Sequence, residues 1–155
     1  MTTKLMTTKL KPTIKKLWIN ALRSNTYKQG IGSLHTHDNN TFCCLGVLCD
    51  IHRTKTLKKE NNIWETHRQL LFRASYLDSV DILPKQVRDW AFTSDDVLLN
   101  PVISIKDLPI PILHLVEDHD SYELRYILNG ISLAELNDIL KLSLNQIADV
   151  IENCL

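Results

Sequence analysis

The sequence has 155 residues, of which 44% are hydrophobic and 23% charged, and its 18 basic residues balance its 18 acidic residues. These values are ordinary for one soluble globular domain, and they exclude a disordered chain, a collagen-like chain and a polybasic nucleic-acid-binding tail. No apolar run approaches the roughly 18–20 residues of a membrane span, so we expect no membrane partner. We expect a single globular domain over residues 12–155, preceded by a disordered segment over residues 1–11.

The net charge of zero hides an uneven distribution along the chain. Residues 1–37 contain seven basic residues and no acidic residue, whereas residues 95–155 contain eleven acidic and three basic residues. A basic first part and an acidic last part predict one of two arrangements. Either the two parts pack against each other, or each of them offers a charged binding face.

The first predicted helix opens at Pro12 and ends near Asn25. Its apolar residues recur at helical spacing, which predicts one buried stripe; they are Ile14, Leu17, Trp18, Ala21 and Leu22. Two glycines and a polar turn then predict a hairpin whose return strand covers residues 41–43. A second helical pattern runs from Cys44 to about Arg53.

The second half of the chain contains clearer helix signals. Pro84 begins a short helix, since proline suits the first helical turn. Residues 97–116 are apolar and β-branched but contain three prolines, which predicts short edge strands or extended loops. Capping boxes at Ser132 and Ser143 each open an apolar helical pattern. Together the elements predict the α+β class, mostly helical, with a small antiparallel β-hairpin or sheet and a C-terminal helix pair.

Several motifs stand in a fixed order. W-I-N-A-L-R-S, Y-K-Q-G-I-G-S-L and F-C-C-L-G-V-L-C-D occupy parts of residues 18–50, and L-P-K-Q-V-R-D-W occupies residues 83–90. L-A-E-L-N-D and I-A-D-V-I-E follow at residues 133–138 and 147–152. Over about residues 14–155 this series resembles a widespread family of small bacteriophage and prophage proteins. The resemblance implies an accessory protein for host takeover or counter-defence in the cytoplasm of the bacterial host, and it implies no particular chemistry.

Polar residues within these motifs suggest a site for an anionic small molecule of the nucleotide type. An arginine can bind phosphate through two hydrogen bonds, and glycines expose backbone donors. The candidate binding residues are Arg23, Tyr27, Gln29, Gly30, Gly32, Asn137 and Asp138. Our preferred hypothesis is that the protein sequesters a nucleotide-derived host immune signal without catalysis. The alternative is structural: Arg23 pairs with an acidic residue of the C-terminal helices, Tyr27 caps the core, and Gln29 with Gly30 shapes the turn.

The cysteines suggest a second hypothesis, a cysteine-dependent enzyme that acts on such a ligand. Cys43 or Cys44 would lie at a helix N-terminus, which lowers a thiol pKa, and His35 or His37 would serve as the base. The alternative is that these thiols are inert and buried. The clustering of three cysteines indicates a reduced chain. Their spacing fits no zinc knuckle, so we assign neither a metal nor a cofactor.

A third hypothesis is a decoy that binds a host protein through the acidic last part of the chain. DNA recognition is disfavoured, because the final predicted helix contains Asp149 and Glu152 and no basic residue to meet phosphates. The sequence leaves the oligomeric state open, with a homo-oligomer as one alternative.

Overall fold

The computed structural model describes residues 9–56, 63–93, 101–119 and 130–155. These residues form six α-helices and seven β-strands, which confirms the predicted α+β class. The helices are α1 (Pro12–Arg23), α2 (Cys44–Thr56), α3 (Lys85–Ala91), α4 (Ile110–Asp118), α5 (Leu133–Asp138) and α6 (Leu144–Cys154). The strands are β1 (Lys28–Gln29), β2 (His35–Thr36), β3 (Thr41–Phe42), β4 (Trp64–His67), β5 (Arg73–Tyr76), β6 (Val102–Ser104) and β7 (Gly130–Ser132). Across the described ranges, no helix combines the length and the apolar composition that a membrane span requires.

The strands form two sheets. One has five strands in the order β1-β3-β2-β5-β4, and the other pairs β6 with β7. β1 runs parallel to β3, whereas all the other neighbours are antiparallel. The larger sheet is therefore more extensive than the predicted hairpin and contains one parallel pair. The β4–β5 hairpin has no counterpart among the predicted elements.

α2 lies at the centre of the core, and its first six residues are all buried. Gly46 lets this helix approach the chain just before β2. A Cβ atom at Gly46 would lie 1.8 Å from the carbonyl oxygen of Leu34, which is far inside any allowed contact. The helix can pack at this distance only because position 46 has no side chain.

α1 packs against α6 and α2, so the beginning and the end of the described chain meet. The buried residues of α1 are Ile14, Trp18, Ile19 and Leu22. The indole N–H of Trp18 donates to the carbonyl oxygen of Cys44 at 3.0 Å, which satisfies the polar atom of a fully buried ring. The helix ends at Arg23, slightly before the predicted end at Asn25, where the backbone has a φ of 60°.

The predicted disordered segment over residues 1–11 needs a correction at its end. Leu10 is buried and forms an antiparallel bridge with Phe92, which follows α3. Apolar burial and backbone pairing hold this part of the chain against the domain. The remainder of the predicted segment, residues 1–8, lies outside the described residues.

Of the predicted range 97–116, residues 97–100 lie outside the described residues. The prediction of short strands or loops is correct for β6 and wrong for α4, which is a helix. Pro109 precedes this helix as its N-cap residue, and Pro111 lies in its first turn. The first N–H groups of a helix have no partner within the helix, so a missing N–H there has no cost. Pro109 and Pro111, which disfavour a central strand, therefore lie at the start of a helix in the structure.

Both predicted capping boxes are confirmed. Ser132 Oγ accepts the backbone N–H of Glu135 at 3.1 Å, and Glu135 Oε1 accepts the backbone N–H of Ser132 at 3.0 Å. Ser143 and Gln146 form the same pair of bonds at the start of α6. Between the two helices Lys141 adopts a φ of 53°, so a residue other than glycine makes the left-handed turn.

Candidate functional site

Four of the seven predicted binding residues come together in the structure. Gln29 of β1 and the adjacent Gly30 are joined by hydrogen bonds to Asn137 at the end of α5, and Asn137 also bonds Asp138. The other three predicted residues take part in none of these bonds; they are Arg23, Tyr27 and Gly32. The seven predicted binding residues therefore form one hydrogen-bonded group of four, and the other three do not belong to it.

Asn137 is the centre of the connected group and is fully buried. Its Oδ1 accepts Gln29 Nε2–H at 2.9 Å and the backbone N–H of Cys44 at 3.2 Å. Its Nδ2 donates to the carbonyl oxygen of Gly30 at 2.9 Å and to Asp138 Oδ1 at 2.7 Å. An asparagine amide has two donor hydrogens and two acceptor lone pairs, so the protein itself occupies all four positions. We call this group the Asn137 hub.

The residues around the hub are equally constrained. Gln29 Nε2 donates a second bond to the carbonyl oxygen of Leu142 at 2.7 Å. A Cβ atom at Gly30 would lie 2.6 Å from Thr41 Oγ1, so the backbone approaches β3 closely at this point. The hub thus joins β1, the start of α2 and the turn between α5 and α6. This geometry favours the structural alternative for Gln29 and Gly30 over a direct role in ligand binding.

A second polar group surrounds Asp50, which sequence reasoning did not single out. The Asp50 carboxylate accepts Tyr27 O–H at 2.7 Å, Arg53 Nε–H at 2.9 Å and Trp64 Nε1–H at 3.1 Å. Burial alone would raise the pKa of Asp50, but these three hydrogen bonds outweigh burial and hold the pKa below its ordinary value. Burial and the bond to Asp50 raise the pKa of the Tyr27 hydroxyl. The available sequence signal was the final Asp of the F-C-C-L-G-V-L-C-D motif.

Aromatic rings pack beside the Asp50 carboxylate. The ring of His35 stacks on Phe42 with 4.1 Å between centroids, and Trp64 lies 5.0 Å from His35. His35 Nδ1 lies 3.0 Å from the carbonyl oxygen of Thr41, so this nitrogen carries the hydrogen. Burial lowers the pKa of His35. The rings contact one another directly, which makes this a packed cluster.

Cys43 and Cys44 are buried in the core. Burial raises the pKa of the Cys43 thiol to about 12 and that of the Cys44 thiol well above its ordinary value. α2 does begin at Cys44, but burial outweighs the effect of the helix N-terminus. Both thiols are therefore protonated at neutral pH and shielded, which favours inert thiols over a nucleophile. In the described parts of the chain, no three His, Cys, Asp or Glu residues are placed to hold a metal ion.

Arg23 binds the acidic C-terminal helix. Its Nη2 lies 2.6 Å from Asp149 Oδ1 and its Nη1 lies 2.8 Å from Glu152 Oε2. These hydrogen bonds, with that to Glu152 the stronger influence, raise the pKa of the guanidinium. The basic first part and the acidic last part of the chain therefore pack against each other through α1 and α6.

An open groove of about 280 Å³ lies beside Arg23 along α1. Its lining residues are Pro12, Lys15, Lys16, Ile19, Asn20, Arg23 and Glu152. Sequence reasoning identified only Arg23, although Lys16, Asn20 and Arg23 follow the spacing of one helix face. The groove combines three cationic side chains, one carboxylate, one amide and apolar surface from Pro12 and Ile19.

A second open groove, of about 340 Å³, lies beside α5. It is lined by Ser132, Ala134, Glu135, Asp138 and Ile139. Asp138 therefore reaches a surface groove, but the neighbouring Glu135 gives this groove two carboxylates and no cation. Coulomb repulsion disfavours an anionic ligand there.

Comparison with protein-family models matches residues 10–155 to a family described as a domain of unknown function (DUF8296). Comparison with curated proteins finds no match, and comparison with solved structures finds none either. The matched range extends from buried Leu10 to the last residue of the chain, so it includes both grooves and the Asn137 hub.

Replacing Asn137 by alanine removes the centre of the hub. Gln29 Nε2, the Cys44 N–H and the Gly30 carbonyl then lose a partner, and a buried group without a partner costs about 1–3 kcal/mol. We expect Asn137→Ala to lower the free energy of unfolding by about 3 kcal/mol in urea denaturation. The matched control is Asn145→Ala on the exposed face of α6, where we expect a change within about 0.5 kcal/mol. Equal losses for the two variants would contradict the role of the hub.

His35 makes the stability of the fold depend on pH. Because burial lowers its pKa below the ordinary 6.5, the neutral ring contributes its full stability above that pH. The contribution is lost as the pH falls through the folded-state pKa, since the unfolded chain then binds the proton more readily. We expect His35→Gln to flatten the fall of unfolding free energy between about pH 7 and pH 5. Urea unfolding at each pH gives this slope, and a slope for His35→Gln equal to that of the wild type would refute the assignment.

Proposed function

The chain belongs to the DUF8296 family, which is described as a domain of unknown function. We propose that it is a phage or prophage accessory protein that binds a host component without catalysis. The proposed ligand is an anionic small molecule of the nucleotide type, a host immune signal that the protein sequesters in the cytoplasm of the bacterial host. The ordered motifs over residues 18–152, which resemble small phage and prophage proteins, support the accessory role.

The groove along α1 is the observation that carries the choice of ligand. Lys15, Lys16 and Arg23 line it, and cationic side chains are the groups that bind phosphate. Exposed Pro12, with the small exposed part of Ile19, adds apolar surface against which a base or ribose can pack. The volume of about 280 Å³ lies just below the usual range for small-molecule sites, about 300–1,000 Å³.

The ion pairs of Arg23 are compatible with an additional anion. A guanidinium has five N–H donors, and one bond each to Asp149 and Glu152 leaves the others for phosphate oxygens. The two carboxylates also hold the guanidinium in one orientation, which reduces the entropy lost when a ligand binds. Among the lining residues Arg23 offsets the charge of Glu152, so Lys15 and Lys16 give the groove its positive character.

Two observations support sequestration over the other hypotheses. The thiols of Cys43 and Cys44 are buried and protonated, which weakens the case for a cysteine-dependent enzyme. Asp149 and Glu152 are bound by Arg23, which leaves fewer free carboxylates on α6 for an acidic decoy of a host protein.

Thermal unfolding with a panel of cyclic dinucleotides and ADP-ribose-type nucleotides tests the proposal. At a ligand concentration a hundred times Kd we expect Tm to rise by about 5–10 °C, since such binding stabilises by about 2.7 kcal/mol. The Lys15→Ala, Lys16→Ala double variant should lose this shift. Chromatography of the ligand after denaturation of the complex should recover it intact, which separates sequestration from catalysis.

The matched control is the Lys28→Ala, Lys106→Ala double variant, in which two exposed lysines outside the groove are removed. Its Tm shift should equal that of the wild type. A shift that survives in the Lys15, Lys16 variant, or no shift with any nucleotide of the panel, contradicts the proposed site. Modified ligand in the recovered fraction contradicts the absence of catalysis.

A further inference from the structure

β4 is the outermost strand of the five-stranded sheet. It pairs with β5 on one side, and no strand in the described part of the chain pairs with its other side. An open strand edge offers a row of backbone N–H and C=O groups for pairing with another strand. The exposed residues of β4 are Glu65 and Thr66, so the edge carries one charged side chain and neither lysine nor proline.

Exposed apolar residues lie at both ends of this edge. Ile63, just before β4, is 67% exposed, and Leu70 and Leu71, just after it, are 43% and 78% exposed. Leu71 also has a φ of 56°, and the next residue, Phe72, has a φ of 62°. Left-handed backbone costs a non-glycine residue about 1–2 kcal/mol, and Asn or Gly would make this turn at lower cost. Folding alone does not require exposed leucine and phenylalanine here, so a binding role for this edge explains them better.

We propose that β4 pairs antiparallel with β4 of a second copy of this chain, so that two five-stranded sheets become one continuous sheet. Such a pair has a twofold axis, which is the commonest symmetry of soluble oligomers and closes the assembly at two copies. The pairing uses the same surface on both copies. It satisfies the open backbone groups of both edges at once.

Charge selects the register of the two strands. A twofold axis perpendicular to the sheet leaves each side chain on the same face of the combined sheet. Two residues that lie opposite each other across the axis must therefore have sequence numbers that differ by an even number. With Glu65 at the axis, two carboxylates would lie directly opposite each other, which is unfavourable. With Thr66 at the axis, Glu65 lies opposite His67 of the second copy, and this favourable pair occurs twice. His67 Nε2 lies 2.8 Å from Ser75 Oγ and can accept its hydroxyl hydrogen. His67 Nδ1–H is then left to donate to the Glu65 carboxylate of the second copy.

The same register covers the exposed apolar residues. In an antiparallel pair the start of one strand lies beside the end of the other, so Ile63 meets the segment that carries Leu70 and Leu71 of the second copy. By symmetry each contact forms twice.

The short strand sets the strength of the association. Four residues and a few apolar side chains per copy give an interface at the low end of the size range, below about 1,200 Å² in total. We expect a monomer–dimer equilibrium with a Kd of roughly micromolar order. Sedimentation velocity of the wild-type protein from about 1 to 300 µM should therefore show a rising dimer fraction.

Thr66→Lys tests the edge, because it would place two ammonium groups opposite each other at the axis. We expect the dimer Kd to rise at least about tenfold, while circular dichroism and Tm stay those of the wild type because Thr66 is exposed. Thr54→Lys, at an exposed threonine of α2, is the matched control and should leave the Kd unchanged. A wild-type protein that stays monomeric, or an equal Kd in Thr66→Lys, overturns the proposal.

Disulfide trapping tests the register. In a Cys154→Ser background, Thr66→Cys should form an intermolecular disulfide when diamide removes two electrons and two protons from the two thiols. Opposite residues have Cβ atoms about 4.5–5.5 Å apart, close to disulfide geometry. Arg68→Cys in the same background is the control, since it leaves Glu65 and His67 in place and its two copies lie on opposite sides of the axis. Faster cross-linking of Arg68→Cys, or none in Thr66→Cys, overturns the proposed pairing.

Discussion

The fold depends on the buried amide of Asn137. This side chain accepts from Gln29 and from the first N–H of α2, and it donates to Gly30 and Asp138. A buried polar group without a partner costs about 1–3 kcal/mol, so these bonds stabilise the fold as a set and not one at a time. Because the partners come from β1, α2 and the end of α5, the hub fixes how the first and last parts of the chain meet.

The contact between the first and last parts of the chain also pairs some of their opposite charges. α1 and α6 pack together, and Arg23 pairs with Asp149 and Glu152 across their contact. The opposite charges of the two ends are therefore partly matched within one molecule. Exposed ion pairs of this kind add only about 0–1 kcal/mol of stability. They also hold Arg23 beside Lys15 and Lys16 in the groove along α1, which is the proposed anion site.

Local rules predicted much of the fold. The capping boxes at Ser132 and Ser143 and the helix from Cys44 depend on neighbouring residues, so they can be recognised in one sequence. α4 was missed because Pro109 and Pro111 are consistent with both a broken strand and a helix start, and only the packing of Ile112 decides between them.

The candidate site was harder to predict than the fold. Gln29 and Asn137 were predicted to bind a ligand. A sequence does not show whether the hydrogen-bond partner of an amide is a ligand or another part of the chain. The two residues are 108 positions apart and bond each other. Lys15 and Lys16 were overlooked because lysines on an exposed helix face are ordinary, and only the position of α6 beside them creates the groove.

The most direct test of the hub is a double-mutant cycle between Gln29 and Asn137. Urea unfolding of Gln29→Ala, Asn137→Ser and the double variant gives the coupling free energy between the two side chains. If the two amides hold the fold together, the coupling should be about 1 kcal/mol or more. Losses that add to within about 0.3 kcal/mol would show that the bond contributes nothing. That result would contradict a structural role for this bond and would favour ligand binding by Gln29 and Asn137.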